Sequence, residues 1–405
     1  MAFSRLKQYL CHILTLVFDM GDGDLFHAHR QAADRADDPW LAFWTHFFAA
    51  PQLETARPQI GGNRITIDWL RALEPRECLY QFRYVAFMMR SMFTNLVCRL
   101  YADELIHLAA AMDIPEIFRT RNRCAFPRVE ALALLLARFK SAGDEFDLTM
   151  RYARSQAAIS ELVNELSMFL DERWGHLLDF DTNGLLSPAR MQEYADAIHA
   201  KGAPLDSVWG LLDCTIRGIC RPSRWQQIAY NGYKKIHAIK FQAIKLPNGL
   251  IGHLFGPMEG RRNDNALLAA PHLLENCAQC AFRPRADHNT PITRRYFQIF
   301  GDPAYGVSPL LLSPFNAGAD RTPEQTKWSH AMSSVRMEVE HGFGGITREW
   351  PFLNAWWKLR VYSSPVGRYY RVCVLLANAL NCIRPNQTSQ AFDILPPHVH
   401  EYFHN

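Results

Sequence analysis

The stretch HAIKFQAIKLPNGLIGHLFGPM, residues 237–258, does most to restrict the folds open to this chain. Apolar and polar side chains alternate on both sides of Pro247-Asn248-Gly249, and such a turn between two alternating runs specifies a β-hairpin. Just upstream, VWGLLDCTIRGI, residues 208–219, also alternates, with Leu211, Asp213 and Thr215 on one face and Leu212 and Ile216 on the other. A further strand is expected to end at Phe300, within RRYFQIFGDPAYGVSP, residues 294–309. Helical spacing lies between and after these runs, in NALLAAPHLLENC and PEQTKWSHAMSSVRMEVEHGF. A meander of strands followed by alternating strands and helices predicts an α/β fold, a mixed sheet flanked by helices.

Upstream of residue 200 the texture is helical. A long apolar run beginning at Leu79 is ended by Pro115, and PRVEALALLLARFK follows with Leu132, Leu135, Leu136 and Phe139 on one face. DEFDLTMRYARS and QAAISELVNELSMFLDERW then predict two helices with a tight connection near Ser155, a helix-turn-helix pattern or a plain bundle. Glu161, Glu165, Asp171 and Glu172 make the second helix acidic, unlike a DNA-reading face. The expected organisation is a helical or partly disordered segment over 1–60 and an all-helical region over 61–200. An α/β domain over 201–385 and a tail over 386–405 complete it.

A chain of 405 residues is long for one core. With 48% hydrophobic and 21% charged residues it is a folding composition rather than a disordered one. A formal charge of +4 permits a local contact with a polyanion without requiring one. Ten scattered cysteines fit a reducing compartment. Cys277 and Cys280 form a C-x-x-C near His272 and His288, but the second pair of zinc ligands would be irregular. LKQYLCHILTLVF resembles a signal core yet is interrupted by Gln8 and His12 and followed by DMGDGD, so an amphipathic helix is the better expectation. A soluble intracellular protein follows.

The chemistry-bearing residues are acids beside strands. Asp213 sits mid-strand among apolar neighbours, where an unpaired carboxylate is costly to bury. Asp302 stands where the later strand stops, immediately before a proline. Thr322, Pro323 and Gln325 predict a capped helix, along which Trp328, Met332, Val335, Val339 and Phe343 form an apolar stripe flanked by Glu338 and Glu340. Carboxylates gathered at one sheet edge repel one another unless they share divalent cations, which can activate a nucleophile against a phosphodiester. Each acid also has a plain structural use: Asp302 in a turn, Asp213 with a backbone donor or an arginine, Glu340 paired with Arg336 one turn earlier.

Four words in order, GLLDCTIRGICRPS, YNGYKKIHAIKFQAIKLPNGLIGHLFGPMEGRRNDNALL, FGDPAYGVSP and MSSVRMEVEHGFGGI, resemble the Harbinger-like DDE transposases and the nucleases derived from them. The resemblance spans roughly 205–385 and implies a ribonuclease-H-like sheet with three catalytic acids. By motif these are Asp213 in LLDCT, Asp302 in GDPAY and Glu340 in VEHGFG, holding magnesium or manganese, with two ions expected. Asp264 in GRRND matches a recurrent further acid as a candidate metal ligand, although Asn263 stands where the family often has histidine. The resemblance also implies double-stranded DNA at element ends as substrate, a separate Myb-like DNA-binding partner, a nuclear location and, as a candidate, self-association.

Arg221, Arg224, Lys234 and Lys235, interleaved with Trp225, Tyr230 and Tyr233, suit phosphates and unstacked bases, and Arg261, Arg262, Lys358 and Arg360 add charge nearby in sequence. The competing expectation is a domesticated, non-cutting descendant that binds DNA or protein. Retention of all three acids separates the two in favour of activity.

Overall fold

The computed structural model describes residues 100–404, apart from 153, 271, 288 and 316–320. The segment 1–60, the signal-like stretch, most of the apolar run beginning at Leu79 and His288 of the zinc expectation lie outside the described residues.

The described chain opens with α1 (Ala102–Ala111), followed by a small antiparallel hairpin, β1 (Ile117–Arg119) and β2 (Ala125–Pro127). The sequence reading had only helices here; three-residue strands are too short to leave an alternating signature. Next come α2 (Arg128–Lys140), α3 (Glu145–Tyr152) and α4 (Gln156–Trp174). Leu132, Leu135, Leu136 and Phe139 of α2 are fully buried, as their spacing predicts.

Ser155 caps α4, its hydroxyl accepting from the Ala158 amide at 3.2 Å. Arg154 in the same turn is locked to Glu130, which is fully buried, at 2.6 Å. Ile159, Leu162, Val163, Leu166 and Leu170 of α4 enter the core. Its acids are engaged within the protein. Glu161 accepts from the Thr120 hydroxyl and the Asn122 amide, both at 2.9 Å, and Glu165 accepts from the Arg121 amide at 3.0 Å. These bonds tie α4 to the turn of the β1–β2 hairpin.

After α5 (Pro188–Ala200) the sheet begins with β3 (Val208–Gly218). It continues with β4 (Tyr230–Asn231), β5 (Ile236–Lys245), β6 (Ile251–Glu259), β7 (Gln298–Phe300) and β8 (Leu311–Leu312). The helices α6 (Asp264–Ala269) and α7 (Leu273–Cys280) precede β7; α8 (Pro323–Glu349), α9 (Val366–Ile383), α10 (Gln387–Phe392) and α11 (Val399–His404) follow β8. The six strands form one mixed sheet in which β3 and β5 are central, β7 lies beside β3, β8 is outermost, and β4 and β6 both pair with β5. β3, β5 and β6 are antiparallel; β3, β7 and β8 are parallel. This is the mixed sheet flanked by helices that the sequence predicts. β7 ends at Phe300 as expected, and Tyr296, just before it, makes an isolated bridge with Phe282.

The Pro247-Asn248-Gly249 turn is clamped from above. Asn381 of α9 donates to the Asn248 carbonyl at 2.9 Å, and Asn378 both accepts from the Ile251 amide and donates to its carbonyl, each at 2.9 Å. Gly249 has φ +81°, and a β-carbon there would meet the Asn386 amide at 2.3 Å, so this position requires glycine. α9 is the keel of the molecule. One side stacks Tyr370 on Phe241 of β5 at 4.4 Å, while Tyr369 meets Phe139 of α2 at 5.7 Å on the other. Arg371 and Arg368 of α9 pair with Asp171 and Glu172 of α4 at 2.7 and 2.6 Å. On the opposite face of the sheet Met191, Tyr194 and Ala195 of α5 pack with Trp209, Leu212 and Ile244.

Candidate active site

An irregularity in register between Val208 and Gly210 resets the alternation of β3, so that Leu211 joins the cluster of Val208, Phe300, Met332 and Val335. Asp213 is the next residue on that face, on the α8 side of the sheet. Its carboxylate is 35% exposed and accepts from the Cys214 amide at 2.8 Å.

β7 runs parallel to β3 with Leu211 level with Phe300. Asp213 lies two residues beyond Leu211 in β3, and Asp302 two residues beyond Phe300, just past the end of β7, so both sit at the same end of the β3–β7 pair. Asp302 caps the turn Pro303–Tyr305, accepting from the Ala304 amide at 3.0 Å, and its carboxylate is 46% exposed. The Ser313 hydroxyl donates to its carbonyl at 2.9 Å.

The turn is also anchored through the sheet. Tyr305 folds back so that its hydroxyl donates to Cys214 Sγ at 2.9 Å, and a β-carbon on Gly301 would meet that ring at 2.8 Å. Cys214 and Asp213 are consecutive in β3, so the tyrosine grips one face while the two acids present on the other. Burial pushes the Cys214 thiol up to about 12 and keeps it protonated, although the Tyr305 bond by itself favours the thiolate. The lock was not foreseen from the sequence, although both partners sit inside the words LLDCT and GDPAY.

Arg336 of α8 faces both acids. Its Nη2 lies 3.8 Å from Asp213 Oδ1 and its Nη1 3.9 Å from Asp302 Oδ2, with the side chain 15% exposed. Since one planar guanidinium reaches both, the two carboxylates are within about 10 Å of each other. α8 is positioned by burial of Met332 and Val335 and by the predicted capping box. Thr322 Oγ accepts from the Gln325 amide at 3.2 Å, and Gln325 returns a bond to the Thr322 amide at 3.1 Å. The sequence reading gave Arg336 only the role of partner to Glu340. Position 340 is one helical turn beyond Arg336, on the same side of α8. The side chains of 337–343, with Glu338, Val339, Glu340 and Phe343, lie outside the described residues.

Asp264 is not brought to this pair. Its carboxylate lies 2.5 Å from Lys240 Nζ, and Lys240 also donates to the Arg262 carbonyl at 2.9 Å. In the β3–β5 ladder Asp213 is opposite Ala243 and Ile216 opposite Lys240, so Lys240 projects from the face away from Asp213. Asn263 caps α6, accepting from the Ala266 amide at 2.8 Å, a helix-starting role for the residue that departs from the family pattern.

Asp213 and Asp302 offer hard oxygen donors, partly exposed and adjacent, which suit magnesium or manganese rather than a soft metal. Among the described residues no group of three His, Cys, Asp or Glu side chains gathers into a metal site. Cys277 is fully buried in α7 with its thiol pushed up by burial, Cys280 donates to the Asn276 carbonyl at 3.2 Å, and His272 pairs with Glu275 at 2.8 Å.

The basic candidates lie beyond the far end of β3, about 17 Å along the strand from Asp213. Arg221, Arg224, Lys234, Lys235, Arg261 and Arg262 are all exposed. Trp225 and Tyr233 in the loop joining β3 to β5 are 72% and 86% exposed. Words distant in sequence meet here: the Cys220 amide donates to the Leu359 carbonyl at 3.0 Å, and the Tyr362 hydroxyl to the Arg224 carbonyl at 3.1 Å. Exposed Trp356 and Trp357 thereby join the loop. Arg262 is partly spoken for by Glu259 at 3.1 Å.

Residues 212–378 match the family model described as DDE superfamily endonuclease. The match contains Asp213, Asp264, Asp302, Arg336 and Glu340, and supports a transposase-like nuclease at the level of that family. No curated protein and no solved structure matches the chain. Among the described residues no helix is long and apolar enough to cross a membrane.

Proposed function

We propose that the protein is a divalent-metal-dependent DNA endonuclease of the Harbinger-like transposase type, with Asp213, Asp302 and Glu340 as its catalytic carboxylates. The observation that carries the reading is that Asp213 and Asp302, each two residues past the paired Leu211 and Phe300, face one guanidinium. Asp213 and Asp302 would hold magnesium or manganese together with Glu340 of α8. The ions, when bound, supply Lewis-acid stabilisation to the phosphodiester under attack.

The chain's own residues do the rest. The Tyr305–Cys214 bond and the Asp302 cap fix the two acids before substrate arrives, removing an ordering cost from the reaction. The loop carrying Arg221, Arg224, Lys234 and Lys235 takes backbone phosphates of double-stranded DNA, and Trp225 and Tyr233 offer ring faces to an unstacked base near an end. Arg261 and Arg262 extend this track beyond β6. Asp264 serves in this reading as the counter-ion of Lys240 rather than as a ligand. Strand transfer at element ends, a nuclear location, self-association and a Myb-like partner for site selection belong to the same proposal.

The test is nicking of supercoiled plasmid in magnesium or manganese by the full chain and by Asp302→Asn. Loss of about a hundredfold or more in rate is expected from the substitution. Equal nicking by the two proteins sinks the proposal. Tight DNA binding by a wild-type protein that nicks in neither metal would instead identify a non-cutting descendant.

A further inference from the structure

We propose that Arg336 is a built-in counter-cation of the acid pair, a positioning residue that holds Asp213 and Asp302 together in the metal-free protein and competes with divalent metal for them. The inference rests on the metal-binding reading given above. Its basis is the placement of one guanidinium, 15% exposed, against both carboxylates at 3.8 and 3.9 Å. Two carboxylates gathered at one end of neighbouring strands repel, and a positive charge facing both relieves the repulsion without any ion from solution.

The same charge opposes metal. An ion ligated by these oxygens at about 2 Å would lie only a few ångströms from the guanidinium, a like-charge contact in a partly desolvated setting. The Arg336 contacts to the acids exceed hydrogen-bond length, so what a bound cation competes with at these atoms is Coulombic attraction. Arg336 lies one residue after Val335 and four after Met332, both buried, so its helix is anchored where the guanidinium meets the acids. Metal loading is therefore an exchange of cations at the acids, and Arg336 sets how much metal the exchange requires.

Manganese titration by calorimetry and by thermal melting, on wild type, Arg336→Gln, Arg336→Lys and Asp302→Asn, tests this without reading activity. Wild type should bind saturably, and Asp302→Asn should lose that binding. Arg336→Gln should bind about tenfold more tightly, melt lower than wild type in EDTA, and gain more on adding manganese. Arg336→Lys, which keeps the charge, should stay near wild type; Arg336→Met replaces the glutamine variant if that one does not fold. Unchanged or weaker manganese binding by Arg336→Gln, with wild-type binding still dependent on Asp302, overturns the Arg336 proposal alone. Wild-type binding that is absent, or indifferent to Asp302→Asn, overturns the metal reading and this inference with it.

Discussion

Replacing Asp264 by asparagine separates two roles that the sequence leaves entangled. Lys240 is 6% exposed, its ammonium held by the Asp264 carboxylate at 2.5 Å and the Arg262 carbonyl at 2.9 Å. Removing one partner of a fully buried pair costs about 3–5 kcal/mol, because the charge left behind has no compensation. Asp264 is 34% exposed, so water recovers part of that loss, and the Arg262 carbonyl remains. About 2 kcal/mol is the reasonable figure after this discount. The carboxylate also stands at the first position of α6, where losing its charge against the helix dipole adds about 0.5 kcal/mol. The melting temperature in EDTA should fall on the order of 5 °C, while manganese affinity stays at the wild-type value. Lys240→Met should restore stability to Asp264→Asn, since it removes the stranded ammonium, and the double-mutant cycle should show coupling of about 1–2 kcal/mol. If Asp264→Asn melts like wild type but loses manganese binding, the counter-ion argument is wrong and the acid is a ligand.

Two further outcomes follow from other parts of the fold. His253 in β6 is buried, and burial lowers its pKa to about 4 from 6.5. The unfolded chain therefore takes up a proton first as pH falls. This contribution is whole above pH 6.5 and diminishes towards pH 4, by about 3 kcal/mol in all. His253→Met should flatten urea-unfolding stability between those values, and an unchanged slope would refute the assignment. At the loop between β3 and β5, Tyr233→Ala with Lys234→Ala and Lys235→Ala should weaken duplex binding about tenfold or more at moderate salt and reduce its salt dependence. Melting should stay unchanged, because these side chains are exposed, and full retention of binding would remove the loop from the interface.

The local devices were legible because each is written over a few residues. Alternation announced β3, β5 and β6, Asn-Gly announced the turn between them, and Thr322 with Gln325 announced the start of α8. The helical stripe predicted burial of Met332 and Val335, which the structure bears out, and the position of Asp302 at a strand end was visible from Gly301 and Pro303. β1 and β2 escaped because three residues carry no periodicity. The acids of α4 argued against a DNA-reading face, but that they hold the hairpin and α9 was not legible, since their partners lie about forty or two hundred residues away.

What the sequence determined by itself is the inventory: which segments are strands, where they stop, and that Asp213 and Asp302 stand at places where a carboxylate is conspicuous. What only the tertiary structure decided is which of these side chains share a face. Face is a parity within one strand, but between strands it depends on register, and register is fixed by long-range pairing and packing. The pairing of Leu211 with Phe300 puts Asp213 and Asp302 together, while that of Ile216 with Lys240 sends Lys240, and Asp264 with it, to the other side. Arg336 meets both acids because α8 docks its apolar stripe on Leu211 and Phe300, a contact that no local pattern encodes.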